Sequence, residues 1–167
     1  MNLFLLRHAI ASPAVSREGF ADSKRRITPE GRKKMRRAAK GMKALGLDFD
    51  LIFTSPYQRA LQTAEIVAQV FRATPRMALS EHLKPTGKSE ELIRQILRSD
   101  RLPDDVLLVG HEPGLSNLIS LLVSGRAGCC VTMKKGGLCK LATAALKAGR
   151  CATLEWLLTP RHLGLLA

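Results

Sequence analysis

The sequence predicts an α/β protein built around a largely parallel sheet. Three observations carry this. Short apolar runs recur at Leu3-Phe4-Leu5-Leu6, Leu51-Ile52-Phe53 and Val106-Leu107-Leu108-Val109. Each is short and continuous, as a strand buried on both faces must be. Segments with apolar residues at helical spacing lie between and after these runs, and such alternation is the pattern of a parallel sheet with crossover helices. The 167 residues suffice for one domain around one sizeable core. Residues 1–167 are therefore expected to form a single domain.

Composition narrows the class. Hydrophobic residues make up 46% and charged residues 25%, as in an ordinary globular chain. Aromatics are only 4%, so the core must be mainly Leu, Ile, Val and Ala. The formal net charge of +13 attracts acidic partners such as phosphates, nucleic acid, acidic proteins or anionic membranes. It does not choose among them, but no aromatic residues interleave with the basic ones as a base-stacking platform needs. Cys129, Cys130, Cys139 and Cys151 form no C-x-x-C pair and no zinc spacing. They read as reduced thiols of a cytoplasmic protein. The first apolar run is too short for a signal peptide, and no stretch approaches transmembrane length.

The chain opens with Asn2 to Leu6 as a buried strand, stopped by Arg7 and His8. In open α/β sheets the carboxyl ends of the strands are where ligands bind. An arginine and an imidazole there suggest an anion beside a nucleophile or base. A loop from Ile10 to Ile27 follows, with Ser12-Pro13 and the basic cluster Lys24-Arg25-Arg26. Thr28-Pro29-Glu30 is a helix start, with a hydroxyl N-cap, proline at N1 and an acid in the first turn. Met35, Ala38, Ala39, Met42 and Leu45 mark its buried face, and Gly46 is the expected C′ residue. Its other face carries Arg32, Lys33, Arg36, Arg37, Lys40 and Lys43. These are either a solvated face or a surface for an acidic partner.

Leu51-Ile52-Phe53 ends at Thr54-Ser55, and a helix follows with Ser55 as N-cap and Pro56 at N1. Arg59 falls in its first turn, where unpaired N–H groups and the helix dipole favour an anion and the arginine adds a bidentate fork. Met77-Ala78-Leu79 is a short strand, Glu81 to Gly87 a loop, and Leu92, Ile93, Ile96 and Leu97 one face of a modest helix. Val106 to Val109 is the clearest parallel strand and ends at Gly110-His111-Glu112. Pro113-Gly114 opens a helix that buries Leu115, Leu118, Ile119, Leu122 and Val123. Arg126 to Lys135 reads as a loop. Leu138 to Thr143 and Ala152 to Leu158 read as an antiparallel hairpin turning at Gly149, with Ala152, Leu154, Trp156 and Leu158 facing inward.

Three strands thus end in phosphate-competent groups: Arg7 with His8, Arg59, and His111. Parallel strands point their carboxyl ends the same way, so these groups can converge on one pocket.

At these residues a resemblance appears. Leu5-Leu6-Arg7-His8-Ala9 resembles the R-H-G motif of the histidine phosphatase superfamily, the phosphoglycerate-mutase-like proteins. Thr28-Pro29-Glu30-Gly31 resembles its T-x-x-G helix start. Ser55 to Ala64 is similar to S-P-x-x-R-A-x-Q-T-A, and Val109 to Gly114 to the V-G-H-x-P-G of the small SixA-type phosphohistidine phosphatases. The resemblance spans Leu3 to about Pro160. It implies a three-layer α/β/α sandwich around a mixed, mainly parallel sheet. It also implies that His8 attacks phosphorus and becomes a transient phosphohistidine, while Arg7, Arg59 and His111 surround the phosphoryl oxygens. Phosphoryl transfer needs in-line positioning and positive charge, with little further chemistry from the protein. The attacking nitrogen must be unprotonated, and the neighbouring arginines disfavour the cation. No cofactor is implied, and with no cluster of hard oxygen ligands the hydrolysis is expected to be metal-independent.

Two departures stand out. Ala9 replaces the motif's glycine, which keeps small size but makes positive φ costly. Glu81 sits where phosphoesterases of the superfamily often place a general acid, whereas SixA-type enzymes manage without one. Glu81 is therefore either the acid or a structural carboxylate. His82 and His162 match no motif and read as surface or packing residues. Ser12 and Asn117 are further substrate-contact candidates.

The segment from Glu81 to His111 is too short for the long insertions that wall the pocket in larger family members. An open pocket would admit a phosphorylated protein side chain, docked with help from the basic helix. The expected function is a phosphatase for protein phosphohistidine of the histidine-phosphotransfer kind. The alternatives are a phosphatase for small sugar or nucleotide-derived phosphoesters, and a basic RNA- or acidic-protein-binding module with a vestigial pocket.

Overall fold

A computed structural model describes residues 1–13, 21–99, 102–126, 128 and 130–167. Six strands form one sheet in the order β3-β2-β4-β1-β5-β6. They are β1 (Asn2–Arg7), β2 (Leu51–Thr54), β3 (Met77–Leu79), β4 (Asp105–Gly110), β5 (Leu138–Ala142) and β6 (Thr153–Leu158). The first four are parallel to one another, and β5 and β6 are added antiparallel. Five α-helices accompany them: α1 (Pro29–Ala44), α2 (Gln58–Phe71), α3 (Ser89–Leu97), α4 (Gly114–Ser124) and α5 (Pro160–Leu165).

The continuous apolar runs are explained by burial on both faces. In β1, Phe4 and Leu6 enter the core shared with α1, α2 and α5, while Leu3 and Leu5 enter the core shared with α3 and α4. β4 divides in the same way, Leu107 and Val109 to one side and Val106 and Leu108 to the other. The result is the expected α/β/α sandwich, with the sheet between two helical layers. No helix among the described residues is long and apolar enough to cross a membrane.

α1 begins as its sequence dictates. Thr28 Oγ1 accepts from the Gly31 N–H at 2.9 Å, Pro29 takes the first helical position, and Gly46 adopts φ 74° past the end. Gly31 has a packing reason as well. A Cβ there would lie 2.2 Å from the Ile10 carbonyl oxygen, so the start of α1 lies hard against the chain just beyond His8.

Several expectations are corrected. α2 begins at Gln58 after an N-cap at Tyr57, not at Pro56, because Ser55 Oγ accepts from the Tyr57 N–H at 3.3 Å across a bend. A register shift between Lys140 and Leu141 breaks the β5–β6 pairing. It sends Ala152 and Leu154 to one core and Trp156 and Leu158 to the other, rather than to a common face. Leu45 and Leu97, expected on the buried faces of α1 and α3, are exposed where those helices end, while Val123 packs partly buried against its cluster. α5 follows β6 without a counterpart among the expected elements, its start capped by Thr159 Oγ1 accepting from the His162 N–H. Of the cysteines, Cys130, Cys139 and Cys151 are free thiols, and Cys129 lies outside the described residues.

Candidate active site

The sheet register builds the site. Arg7 stands opposite Gly110 in the parallel β1–β4 pair, so the next residues, His8 and His111, emerge side by side. The His8 N–H donates to the Gly110 carbonyl at 3.0 Å, and Gly136 N–H reaches the carbonyls of Arg7 and His8. The backbone carrying His8 is thus held from both sides. Ring centroids of His8 and His111 are 5.1 Å apart. α2 closes the arrangement: Thr63 Oγ1 donates to the Arg59 carbonyl at 2.6 Å and accepts from the Ala9 N–H at 3.0 Å.

The His8 partners fix its tautomer. Nδ1 lies 2.8 Å from the Ala9 carbonyl oxygen, which can only accept. Nδ1 therefore carries the proton, and Nε2 keeps its lone pair, accepting from Arg59 Nε–H at 3.3 Å. Burial lowers the His8 pKa to about 4, helped by the charges of Arg59, Arg7 and Lys135 and opposed by the Ala9 hydrogen bond. His8 is neutral near pH 7, as a nucleophile requires.

His111 is set by Ser55, whose Oγ lies 3.0 Å from Nε2. The Tyr57 ring packs against it edge-on at 5.3 Å. Burial, then the charges of His8 and Arg59, push its pKa down to about 3, against an opposing contribution from Asp22. His111 Nδ1 and Arg7 Nε are buried and have no hydrogen-bond partner among the described residues. Buried polar groups ordinarily find partners, and the oxygens of a bound phosphoryl group are suitable ones. Arg7 is anchored by NH1 donating to the Met133 carbonyl at 2.7 Å. The Arg59 side chain is buried, 6% exposed, with its guanidinium 5.2 Å from the Tyr57 ring centroid.

The four residues singled out in the sequence thus meet at one sheet edge. Glu81 stands apart from their hydrogen bonds. It opens a one-turn 3-10 segment (Glu81–Leu83) after β3, with its carboxylate 67% exposed and paired to Lys84. Its neighbours His82 and Lys84, not Glu81 itself, line a small cleft with His111 and Gly114. His162 is exposed on α5. Ser12 Oγ donates to the Arg26 carbonyl, and Asn117 belongs to the first turn of α4.

Sequence reasoning missed three contributors. Ser55, placed at the helix start for its local bond, also orients His111. Thr63, inside a recognised motif, ties α2 to the chain beyond His8. Asp22, outside every motif, binds Arg59 through its main-chain carbonyl and Oδ2 at 2.8 and 2.9 Å. Its signal is the i,i+3 pair with Arg25. No cluster of three or more His, Cys, Asp or Glu side chains among the described residues could hold a metal ion.

A neutral histidine ringed by arginines at the carboxyl edge of a parallel sheet defines a pocket suited to phosphoryl groups. The comparisons give this class a family: residues 3–84 match the histidine phosphatase superfamily (branch 1). An uncharacterized protein of Picosynechococcus sp. is 33% identical over 149 residues, 88% of each chain. Phosphohistidine phosphatase SixA of Escherichia coli is 24% identical, covering 98% of this chain and 96% of its own. The chain belongs to the histidine phosphatase superfamily. Its fold is similar to that of the protein histidine phosphatase SixA complexed with tungstate (TM-score 0.80, 23% identity, 98% and 99% of the two chains). It is also similar to a putative α-ribazole-5′-P phosphatase from Escherichia coli (TM-score 0.75, 18% identity, 96% and 98%).

Proposed function

We propose that this chain, acting as one domain, is a metal-independent phosphatase that removes phosphoryl groups from protein phosphohistidine. The observation that carries the proposal is the His8 tautomer: a protonated Nδ1 on the Ala9 carbonyl and an unprotonated Nε2 whose lone pair faces Arg59 Nε–H. Nε2 attacks phosphorus as the substrate P–N bond breaks. The leaving imidazole, already protonated on its other nitrogen, departs neutral. Water then attacks phosphorus, the P–Nε2 bond breaks, and orthophosphate leaves with His8 restored. Arg7, Arg59 and His111 meet the charge that spreads over the phosphoryl oxygens.

Two features favour a protein substrate. Between Glu81 and His111 the described chain forms only the 3-10 turn, α3 and β4, with no long insertion to wall the pocket. Arg32, Lys33, Arg36, Arg37 and Lys40 of α1 line one concave surface, and α1 starts against Ile10, two residues beyond His8. An acidic phosphoprotein of the cytoplasm would be drawn to that face. The second reading, a phosphatase for small phosphoesters, is favoured by the likeness to the putative α-ribazole-5′-P phosphatase.

The test is turnover of a phosphohistidine-bearing phosphotransfer protein against a panel of sugar and nucleotide phosphates, all in excess chelator. Higher kcat/KM on the phosphoprotein supports the proposal. Preference for a small ester, or loss of activity restored by Mg²⁺, contradicts it.

A further inference from the structure

Asp22 is the only carboxylate hydrogen-bonded to the basic pocket among the described residues. Two of its acceptors bind the two terminal nitrogens of one guanidinium: its main-chain carbonyl takes Arg59 NH1 at 2.8 Å and its Oδ2 takes NH2 at 2.9 Å. A guanidinium is planar with a rigid fork of donors. Fixing both terminal nitrogens fixes where Nε–H points, and here it points at His8 Nε2, 3.3 Å away. Asp22 is itself held. Arg25 NH1 donates to its Oδ1 at 2.8 Å, and Arg25 Nε donates to the Ser12 carbonyl at 2.9 Å. An unbroken chain of contacts runs from Ser12 through Arg25, Asp22 and Arg59 to His8.

Burial raises the Asp22 pKa, but the bonds from Arg25 and Arg59 outweigh it and hold the group below the usual carboxylate range. Asp22 is therefore an anion at the rim of an anion site. It must repel a bound dianion while it orients the arginine that binds it. These effects act on different states. Repulsion is felt by any phosphate in the pocket. Orientation matters most when phosphorus is in line with Nε2.

We propose that Asp22 is a positioning residue for phosphoryl transfer, clamping Arg59 by its carboxylate and main-chain carbonyl so that Nε–H is aimed where phosphorus meets His8. The proposal rests on His8 as the attacking group, and it adds a residue that no motif marks.

The experiment compares orthophosphate, which resembles the ground state, with orthovanadate, which adopts the five-coordinate geometry of transfer. Both are titrated calorimetrically into the wild type, Asp22→Ala, Asp22→Asn, Arg59→Ala and the Asp22→Ala/Arg59→Ala double variant. Asp22→Ala should weaken orthovanadate by about 10-fold or more and leave orthophosphate unchanged or tighter. On whichever substrate the wild type hydrolyses, its kcat should fall while KM does not rise. Asp22→Asn keeps the main-chain acceptor and a neutral side-chain oxygen, and should fall between. In the Arg59→Ala background the Asp22 substitution should add little. Equal tightening of both anions would make Asp22 a mere competitor for the pocket and overturn the proposal. Equal weakening of both, or full additivity with Arg59→Ala, would overturn it too. If Asp22→Ala does not fold, an unchanged vanadate-to-phosphate ratio in Asp22→Asn overturns it alone. A wild type that prefers small phosphoesters would refute the substrate assignment above, while the anion pair would still decide the role of Asp22.

Discussion

His8 and His111 face each other with ring centroids 5.1 Å apart and planes tilted by 51°. Two imidazoles this close, beside Arg7 and Arg59, cannot both carry charge without strong repulsion. Burial is the larger cause of their depressed pKa values, about 4 for His8 and about 3 for His111. The neutral imidazole that the proposed attack by His8 needs at pH 7 thus follows from packing.

A pH prediction follows with a definite sign. Unfolded histidines titrate near the ordinary value of 6.5, well above these folded values. Below 6.5 the unfolded chain binds protons that the folded protein does not. Their contribution to stability is complete above 6.5 and is lost as pH falls toward about 4 for His8 and about 3 for His111. Urea melts of the wild type should lose stability more steeply over that window than those of a His8→Gln/His111→Gln variant. NMR titration should find the His8 ring still neutral at pH 5.5. A midpoint near 6.5 would contradict the tautomer argument.

Whether Glu81 is the general acid is tested by comparing two leaving groups. Its carboxylate is two-thirds exposed and paired with Lys84, away from the His8 hydrogen bonds. Glu81→Gln should leave phosphohistidine turnover within about threefold of wild type and slow an alkyl phosphate by about 10-fold or more. An alkoxide needs a proton as it leaves, and a protonated imidazole does not. Equal losses on both substrates would make Glu81 a positioning residue and remove it as the acid.

The cationic face of α1 is tested by charge reversal. Glu30 is paired with Lys34, which leaves Arg32, Arg36 and Lys40 without an acidic partner on their own helix. Arg32→Glu/Arg36→Glu should raise KM for an acidic phosphoprotein by about 10-fold at low salt, and much less at high salt. Turnover of a small phosphoester should barely change. A parallel loss on both substrates would assign these residues to folding.

Much of this was legible in the sequence. Doubly buried strands need unbroken apolar runs, so β1, β2 and β4 and the side chains at their carboxyl ends could be placed without coordinates. The α1 boundaries were legible because Thr28 and Gly46 have local conformational causes. The α2 start was not, because Ser55 Oγ both takes the Tyr57 N–H across a bend and meets His111, and the second contact is tertiary. Asp22 was hidden for the same reason. Its meaning lies in a contact 37 residues away, and no local period encodes that. The division of β6 between two cores turns on one irregular pairing at Lys140, which alternation alone cannot reveal.

The central claim is that phosphorus bonds to His8 Nε2. A rapid quench at high pH during turnover, followed by mass spectrometry, tests it directly. The account predicts an acid-labile, base-stable phosphoryl group on His8 in the wild type and none in His8→Ala. It also predicts a slower enzyme in His111→Ala, by about 10²–10³, still phosphorylated on His8. A phosphoryl group on His111, or a phosphoenzyme formed by His8→Ala, would contradict it.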